Sequence, residues 1–196
     1  MRPGLIILLL FASFSYSPGQ SSIPPKDIQI KVAVLAAPEE NRKGAKVYGY
    51  NAQGEFTVLR EGENEMICIG DDPKQNGLSV ACYQEDLEPF MQRGRELKKE
   101  GKSFREIFDI REEEVQAGSL TMPDNGATLF VLTADEKEVD WSKGKVLDGN
   151  FRYVVYIPYA TVESTGLPLK PEAPGMPWIM DPGTHRAHIM ITPPKD

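Results

Sequence analysis

An α+β class, with one largely antiparallel sheet and a helical pair inserted between its strands, follows from three features of the chain. Strand-like segments occur on both sides of a central helical stretch. The two candidate helices carry their own start and stop signals. No internal repeat and no interdomain linker divides the sequence, so the segments belong to one domain.

The elements are justified in chain order, beginning with a leader. Met1-Arg2 is followed by an unbroken apolar run from Leu5 to Phe14, then by Ser15, Ser17, Pro18 and Gly19. That order of charge, apolar run and small residues is the layout of a secretory signal peptide over residues 1–19. The run is about 10 residues, short of the ~20 that a spanning helix needs, which argues against an uncleaved anchor. No cysteine is near the cleavage region to carry a lipid. Residues 20–27 are polar and proline-containing and read as a disordered leader, leaving 28–196 as the domain.

Residues 28–37 fit two templates. Ile28, Ile30, Val32 and Val34 alternate as a strand would, while Ile28, Val32 and Leu35 with three alanines suit a short helix ending before Pro38; helix is the preferred reading. Lys46–Tyr50, a turn at 51–54 and Glu55–Arg60 read as a β-hairpin. A strand ending near Cys68 and an extended segment over Ser79–Tyr83 come next. Asp86 is the expected cap of a helix that tolerates Pro89 in its first turn, is weakened by Gly94 and ends at Gly101. Ser103 and Glu106 fit the capping box of a second helix, with Phe104, Ile107, Phe108 and Val115 as its apolar stripe and Gly118 as its stop. The run Arg111-Glu112-Glu113-Glu114 reads as a solvated face. Ala127–Ala134 and Phe151–Ala160 are β-rich, and Pro158 suggests that the second is an edge. Residues 163–184 read as a long irregular loop whose one apolar cluster is Trp178-Ile179-Met180, and Arg186–Thr192 as a core strand.

Composition narrows the function classes. Loss of Arg2 with the leader takes the 22 basic residues to 21 against 29 acidic, a net charge of −8. An acidic surface disfavours non-specific attachment to nucleic acid, and no later apolar run approaches spanning length, so no stable membrane insertion is expected. Cys68 and Cys82, fourteen positions apart, are read as a disulfide in an exported chain. A redox pair would more often be C-x-x-C, and zinc would need two further ligands.

Three stretches carry a resemblance: the hairpin into VLREGENEMICIGDDP, the segment ACYQEDLEPFMQRGRELKKEG, and the C-terminal PWIMDPGTHRAHIMI. In these, about half of the mature chain, the sequence resembles a group of uncharacterised exported bacterial proteins. The resemblance implies export and one compact domain. It brings no activity, cofactor or substrate.

Candidate chemistry rests on few residues. His185 and His188 stand as H-R-A-H, and a strand at Ile189-Met190-Ile191 would send residues three apart to opposite faces, so one metal cannot easily take both. One exposed loop histidine and one partly buried, hydrogen-bonded histidine is the expected outcome. His188, His185 and Asp181 are nonetheless the candidate catalytic residues, and Asp71, Asp72 and His188 the candidate metal ligands. Asp71-Asp72 does not match a calcium loop and suits turn capping better. Trp178 and Arg186 are the candidate ligand contacts. No G-x-S-x-G, G-x-G-x-x-G or phosphate-loop motif occurs, and no cofactor is expected. Two functions follow: a non-catalytic exported module binding a ligand or partner through the proline-rich loop and the sheet edge, or a metal-dependent or acid–base hydrolase centred on His188.

Overall fold

The computed structural model describes residues 23–195. The signal peptide expected over 1–19, and the first residues of the leader, lie outside the described residues. Helix α1 (Lys26–Ala33) continues as a 3-10 turn over Val34–Ala36, and a short helix α2 (Glu39–Arg42) follows Pro38. Lys26 and Asp27, read in the sequence as the end of the leader, are helical. Helix wins over strand here because Val32, Ala33, Ala36 and Ala37 bury one compact apolar face. Small side chains there let the backbone lie close to the sheet. Gln29 fixes the helix to the first strand: its amide donates to Pro24 O and Tyr50 O, both at 2.8 Å, and its carbonyl accepts the Tyr50 N–H at 2.9 Å.

Strands β1 (Lys46–Tyr50), β2 (Phe56–Arg60), β3 (Met66–Ile69), β4 (Leu78–Gln84), β5 (Ala127–Ala134), β8 (Asn150–Tyr156), β9 (Trp178–Met180) and β10 (His188–Ile191) form one sheet, in the order β2-β1-β3-β4-β5-β8-β10-β9. A separate small hairpin pairs β6 (Val139–Asp140) with β7 (Lys145–Val146). Every neighbour in the large sheet is antiparallel except β1–β3. The α+β class and the single, largely antiparallel sheet are therefore as expected. In the β1–β2 turn the Asn51 carboxamide oxygen accepts from Gln53 N and Glu55 N, both at 3.0 Å, which closes the loop without help from the core.

Period-two alternation divides the core between the two faces of the sheet. On one face Val47, Cys68, Val80, Cys82 and Leu132 pack under α1 and its 3-10 extension. On the other, Ile67, Tyr83, Leu129, Val154, Tyr156 and Met190 pack with Leu87 and Phe90. Cys68 and Cys82 are register partners of β3 and β4, with Cα atoms 4.0 Å apart, and are joined by a disulfide beneath α1.

Helices α3 (Glu88–Lys99) and α4 (Phe104–Gln116) form the inserted pair. The cap of the first segment is Gln84, not Asp86: the Gln84 side chain accepts the Asp86 N–H at 2.7 Å and opens a 3-10 turn that leads into α3. Phe90 and Leu97 are the buried side chains of α3, each contributing about 2 kcal/mol of apolar burial. Gly94 has a packing reason, since a Cβ there would sit 2.9 Å from the Arg111 guanidinium. Gly101, at φ +82°, follows the helix where a left-handed residue is required. The capping box of Ser103 and Glu106 starts α4 as expected.

Two expectations fail in the C-terminal third. Strand β8 lies between β5 and β10, so it is central; Pro158 falls after its last residue and leaves the ladder intact. The stretch 163–184 is also more regular than expected, with a short helix α5 (Val162–Thr165) and edge strand β9 within it. The Ile179 N–H donates to Pro168 O at 3.0 Å, so the proline-containing loop covers part of that edge. No helix among the described residues is long and apolar enough to cross a membrane.

Candidate functional site

Three pieces of chain surround a cleft of about 940 Å³ on the α1 face. Ile23, Pro24 and Pro25 lead into α1, which contributes Gln29 and Val32; the loop 71–77 and the segment from Glu136 to Ser142 form the opposite walls. Both loops are held by local chemistry. Asp72 accepts the Lys74 N–H at 3.1 Å, and Asp71 accepts the Ser79 N–H at 2.8 Å, which pins the start of β4. Trp141 donates its indole N–H to Glu136 at 2.9 Å, fixing ring and carboxylate together.

Two carboxylates, Asp71 and Glu136, and one lysine, Lys74, line the cleft. Burial, with the charges of Glu136 and Asp72 adding to it, pushes the Asp71 carboxyl up to about 6 despite the Ser79 N–H that opposes the rise. Tyr50 is pushed up to about 12 by burial and by Asp72 and Asp71. Apolar walls from Val32, the prolines and Trp141 thus surround a pair of carboxylates, the mixture of apolar lining and a few polar groups typical of ligand sites.

The histidines are elsewhere. His185 is 0% exposed, which corrects the expectation of an exposed loop histidine. Its Nδ1 lies 2.5 Å from Glu112 Oε2, and its backbone N–H donates to the same oxygen at 2.9 Å. Phe90 and Phe108 meet the ring edge-to-face, at 5.5 and 4.9 Å between centroids. Burial outweighs Glu112 and holds the imidazole below its usual range; with Nδ1–H given to the carboxylate, Nε2 has no hydrogen-bond partner. Glu112 is held low in turn, because the His185 and Gln116 donors exceed the cost of its desolvation.

Within the run 111–114 only Glu113 is the exposed residue expected of a solvated face; Arg111 and Glu114, like Glu112, are drawn into contacts. Arg111 is buried, its guanidinium 3.8 Å from the centre of the Phe90 ring and its Nη1 donating to Phe90 O at 3.1 Å. Burial lowers it to about 10. Glu114 receives Arg93 from α3 at 2.7 Å. Phe104, expected in the apolar stripe, is 69% exposed and lies under the Arg186 guanidinium instead. The backbone that carries His185 is held tightly: Tyr159 and Asp181 have positive φ of 61° and 50°, and their turns interlock through Tyr159 N–H to Thr184 O and Gly183 N–H to Ala160 O, both 2.8 Å. Two such residues cost about 1–3 kcal/mol each.

His188 is 4% exposed and gives its Nδ1–H to the Arg186 carbonyl at 2.7 Å, with the Tyr156 ring beside it. Desolvation holds it below the usual histidine range. Asp181 Oδ2 lies 3.5 Å from Arg186 Nε, an ion pair without hydrogen-bond geometry. Neither His188 nor Asp181 lines the cleft, and among the described residues no group of three or more His, Cys, Asp and Glu is placed to hold a metal. Trp178 lines a smaller hollow of about 280 Å³ with Pro171, Pro174, Met176, Pro193 and Pro194.

Of the candidate residues, only Asp71 reaches the main cleft. Gln29, Glu136 and Trp141 were not among them. The available signal was a tryptophan set in the polar stretch EKEVDWSKG, which the strand and helix periods leave unexplained. Comparison of the chain with protein-family models, with curated proteins and with solved structures yields no match.

Proposed function

We propose that this chain is an exported, non-catalytic module that binds a small ligand in the cleft between α1 and the loops 71–77 and 136–142. The observation that carries this reading is the convergence of Asp71 and Glu136 on one cleft with an indole and apolar walls. Burial with neighbouring carboxylates raises Asp71 to about 6, and perturbed groups of this kind cluster at functional sites. Export is supported by the leader-like first nineteen residues and by the disulfide under α1. The same export is what the resemblance to bacterial exported proteins implies.

The hydrolase alternative centred on His188 has less support. A general base must reach a substrate proton, and this ring is enclosed and engaged by a backbone carbonyl. The sheet edge is a weaker candidate than the cleft, because Pro168 already takes one of its donors.

Heteronuclear NMR of the purified protein against a panel of small metabolites tests the proposal. Binding should perturb the Gln29 and Gln75 side-chain amides and the Trp141 indole together. Perturbations centred on His185 or His188, or steady conversion of a panel compound, would overturn it.

A further inference from the structure

We infer that the cleft selects an organic cation, a primary amine or guanidinium on a short apolar stem, with its charge at Asp71 and Glu136 and its stem along Trp141 and Pro24-Pro25. This rests on the ligand-binding reading above and adds the chemical class.

Charge decides the sign. The ionisable groups that line the cleft are Asp71, Glu136 and Lys74, and Asp72 adjoins them. Among the described residues Asp72 has a distant ion pair with Lys98 at 4.0 Å, while Asp71 and Glu136 have none. Neutral donors alone engage them: the backbone N–H groups of Ser79 and Asp72 for Asp71, and the Trp141 indole N–H for Glu136. A half-buried carboxylate, Asp71, that faces the further negative charges of Glu136 and Asp72 is relieved by a cation and aggravated by an anion. A neutral polyol would satisfy oxygens but leave the repulsion in place.

The walls decide between an inorganic and an organic cation. Calcium takes six to eight oxygen ligands, and magnesium a near-octahedral shell. Here Ile23, Pro24, Pro25, Val32 and Trp141 line the same cleft as the carboxylates. These apolar surfaces suit methylene groups rather than the shell of oxygens an inorganic cation requires. The volume lies within the range of small-molecule sites, enough for a diamine or a guanidino-amine.

Isothermal titration of the purified protein at low salt, using cadaverine and agmatine as probes, tests the inference. Pentane-1,5-diol, glutarate and calcium chloride serve as neutral, anionic and inorganic comparisons. The expected result is binding of both amines, weakened on the order of tenfold by Asp71→Asn with Glu136→Gln and by added salt. Both substitutions keep side-chain shape and an acceptor oxygen, and a melting curve verifies that the variant is folded. Equal binding of the diol and the diamine would overturn the cationic class while leaving the cleft as a ligand site. Calcium binding that excludes the amines would overturn the organic class. Amine binding indifferent to the double substitution would overturn both the class and the site. Failure of both amines to bind at millimolar concentration would overturn the class alone, since the metabolite mapping tests the site independently.

Discussion

Glu112 Oε2 accepts both the ring Nδ1–H, at 2.5 Å, and the backbone N–H, at 2.9 Å, of His185, seventy-three positions further along the chain. One carboxylate oxygen thereby fastens α4 to the loop that feeds the last strand. With the ring fully buried and Nε2 without a hydrogen-bond partner among the described residues, this is a structural clasp. Glu112→Ala should leave two donors unpaired in the interior and cost about 3 kcal/mol. Glu112→Gln keeps one acceptor and should recover part of that loss. Urea denaturation midpoints compare the three proteins, and an alanine variant as stable as the parent would refute the clasp.

Both histidines are held below the usual range by burial, so in acid the unfolded chain takes up protons before the native one does. Their stabilising contribution is therefore complete above about pH 6.5 and is lost as pH falls through their native values. His188→Gln should cost about 1–2 kcal/mol at neutral pH, because the bond to Arg186 O is weakened or lost, and should flatten the pH dependence below pH 6.5. Denaturant midpoints between pH 7.5 and 5 measure both effects. A variant with the same acid slope as the parent would show that His188 does not contribute to it.

Much of the fold was legible because it rests on local chemistry. The Ser103–Glu106 box, the Asn51 turn and the alternation in β4 and β5 are written in adjacent residues. What was not legible depends on distant partners. Glu112 looks like one charge in a charged run until His185 is brought to it, and Arg111 looks solvated until Phe90 offers a ring and a carbonyl. Phe104 looks like a core residue from its period and is displaced by the position of α4. The cleft has the same character. Asp71 was visible as a turn residue, but Glu136 and Trp141 acquire meaning only from their placement opposite α1.

The Cys68–Cys82 bond closes a fourteen-residue separation under α1. Replacing both cysteines by serine should cost about 2–5 kcal/mol, mainly by releasing the unfolded chain. Hydrogen exchange should rise first in the loop 70–77 between β3 and β4, which also forms one wall of the cleft. Two free thiols in the folded, air-exposed protein would contradict the pairing.

Processing is expected between Ser17 and Ser22, with the small residues Ser17 and Gly19 available at the recognition positions. N-terminal sequencing of protein recovered from the native host checks this. Full-length chain retained in the membrane with Met1 attached would refute it.

Asp71 opposes the histidines in its pH dependence. Its carboxyl is raised by burial, Glu136 and Asp72 to about 6, so the native state binds a proton there before the unfolded chain does. Its ionisation therefore destabilises the protein above about pH 6, and the penalty fades as pH falls toward the ordinary carboxylate value. Asp71→Asn keeps the acceptor for Ser79 N–H while removing the charge. That variant should be more stable than the parent by about 1 kcal/mol at pH 7.5, after allowance for solvent screening, and equal to it near pH 4. The two substitutions also separate in sign: His188→Gln flattens the fall in stability toward acid, whereas Asp71→Asn steepens it. Thermal or urea midpoints over that range measure the gap. An Asp71→Asn variant less stable than the parent at pH 7.5 would mean that the carboxylate is compensated within the fold, and the electrostatic case for a cation in the cleft would fall with it.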